Sequence, residues 1–444
     1  MQITRLSIQN YKSLKDITLS LRQLSLIVGS NASGKSNLSD CIDFISEVYR
    51  HGLEVAVGRK GGYENIAFRR TRRSKQPISI SLTVEFDEND SRKIYRQRKS
   101  TTPLQLRLEH SFSFVARGYS IQADFHIVSE SVEISVHRND EWLSLVKLAR
   151  NKDNKIVMQG GMESDKRIKE IIVSDDILKE IVRLPDQAYW KQIESRSLLA
   201  STGLLIDFVG RFGLYIFRDA LEGIRVFQLS PTKSRESGVP TPRPELDKTG
   251  ANLPAVVNSM KKRNSKEWEL VLKTMRKILP DLESIDIIYT SSRTLGLVFK
   301  EKGVGRPWAG DEVSDGTIQT LGLLVALFNP ASKVLVIEEP ENSVHPWIIR
   351  LILDACREAA RQKQIIITSH SPIVINTIKP EDVWIIWRAN GETHIKELSK
   401  LDQGFLSMWE HGEIPTFEYL DSGTLTEAIP PSPSISNEAM ESQQ

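Results

Sequence analysis

The stretch "SLIVGSNASGKSNL", residues 25–38, reads as a short buried strand that stops at a glycine, a small polar turn, and the opening of a helix. Within it Gly29 to Ser36, "GSNASGKS", has the spacing G-x-x-x-x-G-K-S in the context that gives this spacing meaning, between a strand and a helix. Glycines let backbone N–H groups curl around phosphates, and the helix N-terminus adds the positive end of its dipole. Lys35 is placed to reach the β and γ oxygens and Ser36 to ligate magnesium, so Gly29, Ser30, Asn31, Ala32, Ser33, Gly34, Lys35, Ser36 and Asn37 are the candidate residues for binding ATP. Lys35 is expected to be an exposed loop lysine. The helix carries Leu38, Cys41, Ile42, Ile45, Val48 and Tyr49 at three- and four-residue intervals and ends at His51-Gly52.

A phosphate loop alone does not choose among kinases, GTPases, motors and transporters. The second acidic motif does, and "VLVIEEPENSVHP", residues 334–346, supplies it. An apolar strand delivers Glu338 where a carboxylate can hold the magnesium of the Ser36 site, and Glu339 then points at an attacking water. An isolated Glu-Glu pair would be a solvated turn, but Pro340, Glu341, Asn342, His345 and Pro346 extend the pattern. Downstream, "IIITSHSP" sets His370 just beyond another apolar strand, where a P-loop sheet needs a γ-phosphate contact. Between the phosphate loop and the second acidic motif lies "VSDGTIQTL", residues 313–321, a polar turn opening an apolar helix anchored by Ile318, Leu321, Leu324 and Phe328. Ser314 with the backbone N–H groups of a helix start makes an anion site that has no phosphate of its own.

"NYKSLKDITL" (residues 10–19), the phosphate loop, "VSDGT", "VIEEPENSVHP" and "TSHSP" occur in one order, and in that order the chain resembles the ABC-type ATPases of the RecF, SMC and OLD (overcoming lysogenization defect) group. The resemblance covers roughly 1–70 and 277–395, and the Glu-Glu-Pro-Glu form is most similar to the OLD and RecF-like branch. It implies that Ser314, Asp315 and Gly316 match the signature that completes the ATP site of another subunit, that Glu339 and His370 are catalytic, and that Ser36 and Glu338 are the magnesium ligands. Asp315-Gly316-Thr317 stands where full transporter signatures have Gly-Gly-Gln, which speaks against a transporter. The family's glutamine-containing loop has no candidate in the sequence.

The expected fold is α/β: a P-loop ABC-type ATPase head with an antiparallel β lobe and a short helical insertion. The head is expected over 1–76 and 277–421, the β lobe over 77–140, where apolar residues alternate, and the helical insertion over 141–276; 422–444 lack a core pattern and read as a disordered tail. From about Lys166 to Phe227 the pattern is mostly helical, without the heptads of a coiled coil. Residues 230–250, "SPTKSRESGVPTPRPELDKTG", are a Pro, Ser and Gly-rich loop.

With 444 residues and 40% hydrophobic content the chain can bury a full core. Its 59 Lys and Arg against 57 Asp and Glu leave a net charge of +2, which offers no global argument for a nucleic-acid or membrane partner. The local basic runs, Arg69 to Lys75 and Lys261 to Arg263, read as solvated loops at least as well as phosphate contacts. Cys41 and Cys356 read as core residues of a cytoplasmic protein; Trp384, Trp387 and Trp409 read as core as well. No apolar run reaches the roughly 18 residues of a spanning helix. OLD-like relatives often carry a TOPRIM nuclease, whereas here 74 residues follow His370 and no D-x-D triplet occurs. The resemblance therefore implies a head-to-head dimer or higher oligomer around Mg-ATP that controls a separate effector protein, such as a nuclease, in antiphage defence. The rival reading is a RecF-like clamp that grips DNA in repair or recombination.

Overall fold

In the computed structural model the described residues are 1–68, 76–87, 104–118, 124–160, 166–174, 178, 179, 189, 191, 192, 203–209, 215–422 and 425. The basic run 69–75 and the expected tail, apart from 422 and 425, lie outside them.

Two large sheets share the chain. The first has seven antiparallel strands in the order β2-β1-β4-β5-β6-β7-β8, formed by β1 (Gln2–Tyr11), β2 (Leu14–Ser20), β4 (Ile78–Phe86), β5 (Leu106–Ala116), β6 (Phe125–Arg138), β7 (Glu141–Arg150) and β8 (Ile156–Gly160). The second has six strands in the order β16-β15-β3-β14-β13-β9: β3 (Leu24–Val28), β9 (Ile224–Phe227), β13 (Val334–Glu338), β14 (Gln364–Ser369) and β15 (Val383–Ala389) run parallel, and β16 (Glu392–Glu397) closes one edge antiparallel. A small sheet of β10 (Leu282–Tyr289), β11 (Leu295–Glu301) and β12 (Trp308–Ala309) completes the set.

The parallel sheet separates two apolar clusters, and the two-residue period of its strands assigns side chains to each. Ile27, Val334, Val336, Ile366 and Ile386 face the cluster that holds the antiparallel sheet and the P-loop helix Lys35–His51. Leu26, Val28, Leu335, Ile337, Ile365, Ile367 and Ile385 face the cluster built on the helices Leu253–Arg263, Ser265–Ile278, Asp315–Phe328 and Pro346–Ala359. Continuing the alternation along β13, Glu338 belongs on the side of Val334 and Val336, the side of the P-loop helix.

Several expectations change. The antiparallel sheet runs twenty residues past 140, because β7 and β8 fall where the helical insertion was expected to begin. β9 lies inside the run that reads as helical; Ile224–Phe227 is buried in the nucleotide sheet. Residues 230–250 are a loop, as expected, interrupted by the short helix Pro231–Ser234 and tied down by backbone bonds from Ser230 to Thr249 at 3.0 Å and between Gly238 and Leu295 at 2.9 and 2.8 Å. Cys41, Cys356 and Trp384 are core residues, as expected, and the cysteines are unbridged. No helix among the described residues is long and apolar enough to cross a membrane.

Candidate active site

The phosphate loop hangs from the C-terminal end of β3. Its glycines answer to close neighbours: a Cβ on Gly29 would stand 2.1 Å from the Ile386 carbonyl oxygen, and Gly34, at φ +113°, would drive one into Thr393 at 2.3 Å. Thr393 on β16 is part of a small brace, its hydroxyl 2.7 Å from that of Ser13 and 3.2 Å from the Ser33 carbonyl, while the Asn37 amide donates to Ser13 at 2.6 Å. Ser13 of the N-terminal motif thus joins the brace around the loop, while Tyr11 and Lys12 contact Asp40 of the P-loop helix.

Lys35 corrects one expectation. It is 7% exposed, and its Nζ donates to the carbonyls of Gly29 at 2.6 Å and Ser30 at 3.0 Å. Burial lowers its pKa, and the carboxylates of Glu339 and Glu341 act against that shift. The lysine is held inside its own loop, while Asn31, Ala32 and Ser36 are exposed around it.

The second motif meets the loop from β13. Glu338 is 9% exposed, and burial pushes its carboxyl up to about 7; Lys248 opposes the shift, while Glu339, Asp40 and Asp43 add to it. Glu339 turns the chain at φ +46°, a left-handed conformation that costs on the order of 1 kcal/mol for a residue with a side chain. The conformation is held on both sides: its N–H donates to the Thr368 carbonyl at 2.9 Å, and the Asn342 amide donates to its Oε2 at 3.0 Å. His370 Nδ1 lies 3.5 Å from Glu339 Oε1 and 3.8 Å from Glu341 Oε1. Glu341 accepts from the Ser369 hydroxyl at 2.6 Å and the His370 N–H at 3.2 Å, and its Oε2 is buried with no hydrogen-bond partner among the described residues. The structure therefore gathers Lys35, Glu338, Glu339 and His370 around one edge of the sheet, and adds Glu341, which ties the β13 turn to the β14 turn.

Ser314 caps the helix Asp315–Phe328, its Oγ accepting from the Thr317 N–H at 3.2 Å, and Ser314 and Asp315 are exposed. A Cβ on Gly316 would lie 2.9 Å from the Ser343 carbonyl oxygen, so the helix start packs directly on the turn that follows Glu339. No hydrogen bond or ion pair among the described residues joins 314–316 to the phosphate loop of the same chain.

Sequence reasoning missed Arg235, Lys248 and Thr393, which belong to no local motif, and quoted Ser13 within "NYKSLKDITL" without its contacts to Thr393 and Asn37. It also lacked the glutamine. Topology supplies a candidate: Gln228 lies exposed one residue past β9, the strand beside β13, at the edge where the parallel strands end.

Comparison with known families gives two matches in tandem. Residues 1–205 match the family described as "AAA ATPase domain", and residues 208–376 match "AAA domain, putative AbiEii toxin, Type IV TA system". No curated protein matches the chain. Solved structures similar to it include an SMC head bound to the C-winged helix domain of ScpA, 12% identical over 89% of this chain and 97% of that one with a TM-score of 0.47. An SMC head domain from Thermotoga maritima is 14% identical over 89% and 99%, at a TM-score of 0.41. The SMC head with an extended coiled coil derived from Pyrococcus furiosus, bound to the C-terminal domain of ScpA, is 13% identical over 93% and 99%, at 0.43. The two halves of the chain thus each match an AAA ATPase domain family, and the phosphate loop, Glu338 and His370 stand at the ends of three adjoining parallel strands, the arrangement of a P-loop ATPase.

Proposed function

We propose that the chain hydrolyses ATP in a head-to-head dimer, each site formed by the phosphate loop of one subunit and the signature turn of the other, and uses the cycle to switch a partner protein. The observation that carries the reading is that Ser314 and Asp315 are exposed at a capped helix start which, among the described residues, makes no hydrogen bond or ion pair to the phosphate loop of its own chain.

In this reading Lys35 exchanges its bonds to the Gly29 and Ser30 carbonyls for phosphate oxygens. Ser36 and Glu338 offer hard oxygen ligands that suit magnesium, and a buried carboxylate with a raised pKa is the kind of donor a divalent cation stabilises. Bound there, the ion would neutralise charge on the phosphates. Glu339, fixed by Thr368 and Asn342, orients and deprotonates the attacking water, and His370 contacts the γ-phosphate. Gln228 is the candidate for the glutamine that reports nucleotide state across the sheet edge. Ser314, Asp315 and Gly316 close over the ATP of the other subunit, with the helix N-terminus as the anion site.

The test mixes two inactive variants, Lys35→Ala and Ser314→Arg. Each heterodimer retains one site with an intact phosphate loop facing an intact signature, so activity should return on mixing. Subunit exchange without recovery would reject the dimeric site. The partner arm of the proposal is tested by purifying the chain with its genetic neighbour and following complex size on adding Mg-ATP. An ATP-dependent change in association supports an effector; tight ATP-dependent clamping of DNA with no protein partner supports the repair reading instead.

A further inference from the structure

Residues 230–250 run from the strand β9 back toward the P-loop helix, and they touch both halves of the site. At one end Arg235 reaches into the signature turn: Nε donates to the Gly310 carbonyl at 3.0 Å, one terminal nitrogen to the Val313 carbonyl at 2.7 Å, and the other to the Asp315 carboxylate. At the other end Glu245 accepts from Arg225 at 3.1 Å and from Arg50 in the last turn of the P-loop helix, and Lys248 lies 3.5 Å from Asp43 of the same helix. The two ends are packed together, since a Cβ on Gly250 would fall 2.2 Å from the Ser234 hydroxyl.

We propose that Arg235 is a positioning residue for hydrolysis, fixing the signature turn so that Ser314 meets the ATP of the opposite subunit in register. The proposal rests on the dimeric reading above. Three acceptors spread over residues 310–315 match the flat fork of a guanidinium; the single ammonium of a lysine cannot satisfy them together. Charge gives a second reason. Asp315 puts a carboxylate at a helix start that must accept phosphate, and the Arg235 guanidinium offsets a repulsion that the turn would otherwise carry into the site. Asp315 is 60% exposed, so the ion pair adds little to stability, and its value lies in placement.

The experiment uses the full-length chain carrying Arg235→Gln, with Arg235→Lys as the charge-retaining variant. Arg235→Gln should bind ATP like the wild type and melt within a few degrees of it, yet hydrolyse about 100-fold more slowly, the usual scale for a misplaced catalytic group. Arg235→Lys should recover only part of the rate. Mixing decides the role: Arg235→Gln should regain activity with Lys35→Ala, whose signature is intact, and should not with Ser314→Arg. A wild-type rate in Arg235→Gln overturns the proposal, as does recovery with Ser314→Arg in place of Lys35→Ala. Failure of the Lys35→Ala and Ser314→Arg pair itself would instead bring down the dimeric reading, and this inference with it. Recovery in that pair, with none between Arg235→Gln and Lys35→Ala, rejects this inference alone.

Discussion

Glu338 and Glu339 are consecutive carboxylates in opposite surroundings, and the two roles proposed for them rest on that difference. Glu338 ends a wholly buried strand, while Glu339, reversed by its positive φ, is turned toward His370 at the open edge. Glu339→Gln should keep ATP binding, slow hydrolysis by roughly 10²- to 10⁴-fold and trap an ATP-bound dimer, since a general base is worth that much; single-turnover assays with sedimentation check it, and a wild-type rate would move the base elsewhere. For Glu338 the sign of the pH effect is set by a raised pKa. In the unfolded chain the carboxyl ionises in the ordinary range, but in the fold only near 7. Its contribution to stability is therefore fully present at low pH and is lost as pH rises through about 7, a swing on the order of 3 kcal/mol. Without magnesium, Glu338→Gln should gain stability over the wild type as pH increases from 5 to 8, and added magnesium should narrow the gap by stabilising only the carboxylate. Parallel melting curves at all pH values would refute this.

Among the elements, the start of the helix Asp315–Phe328 carries the tightest constraint. Its apolar body is buried from Thr317 to Phe328, so the helix cannot slide, and Gly316 sits where an added methyl group meets the Ser343 carbonyl at 2.9 Å. Gly316→Ala should therefore shift the signature turn against the loop that follows Glu339, lowering hydrolysis by 10- to 100-fold while costing only about 1–3 kcal/mol of stability. An unchanged rate would show that the turn moves freely of the Ser343 loop. The same comparison shows what was legible. Strand, glycine turn and helix around Lys35, and strand ends at Glu338 and His370, are written in contiguous residues, so their placement could be read directly. β9 could not be: four residues, three of them buried, following a helix-like run have no period of their own. Arg235 was invisible for a different reason, because two of its three acceptors are backbone carbonyls more than seventy residues away.

At the scale of the molecule, the question is whether this ATPase acts on nucleic acid itself. A net charge of +2 is weak support for phosphate-backbone binding, which depends on clustered cations. Of the two basic runs, that at 261–263 is already in use in part: Lys261 donates to the Ile285 carbonyl at 2.7 Å and pairs with Asp286, whose carboxyl its partners hold down at about 2. That lysine ties the helix Leu253–Arg263 to β10, which makes it a structural group. Gripping duplex through several phosphates would require such cations to be free, and it would show as a steep loss of affinity with salt. The proposed site likewise suits a terminal phosphate and a water, with Glu339 as its candidate base and Lys35 held in the phosphate loop. The chain alone with Mg-ATP should therefore turn over ATP without cutting DNA or RNA, and its binding to duplex should be weak between 50 and 200 mM salt, the range over which phosphate contacts are usually compared. Supercoiled plasmid and single-stranded RNA incubated with the purified chain, read on gels beside a phosphate-release assay, check both statements. Metal-dependent cleavage that Lys35→Ala abolishes would overturn the first. Binding that tightens on ATP and falls steeply with salt would overturn the second, and would move the function from a switch for a protein partner to a clamp on DNA.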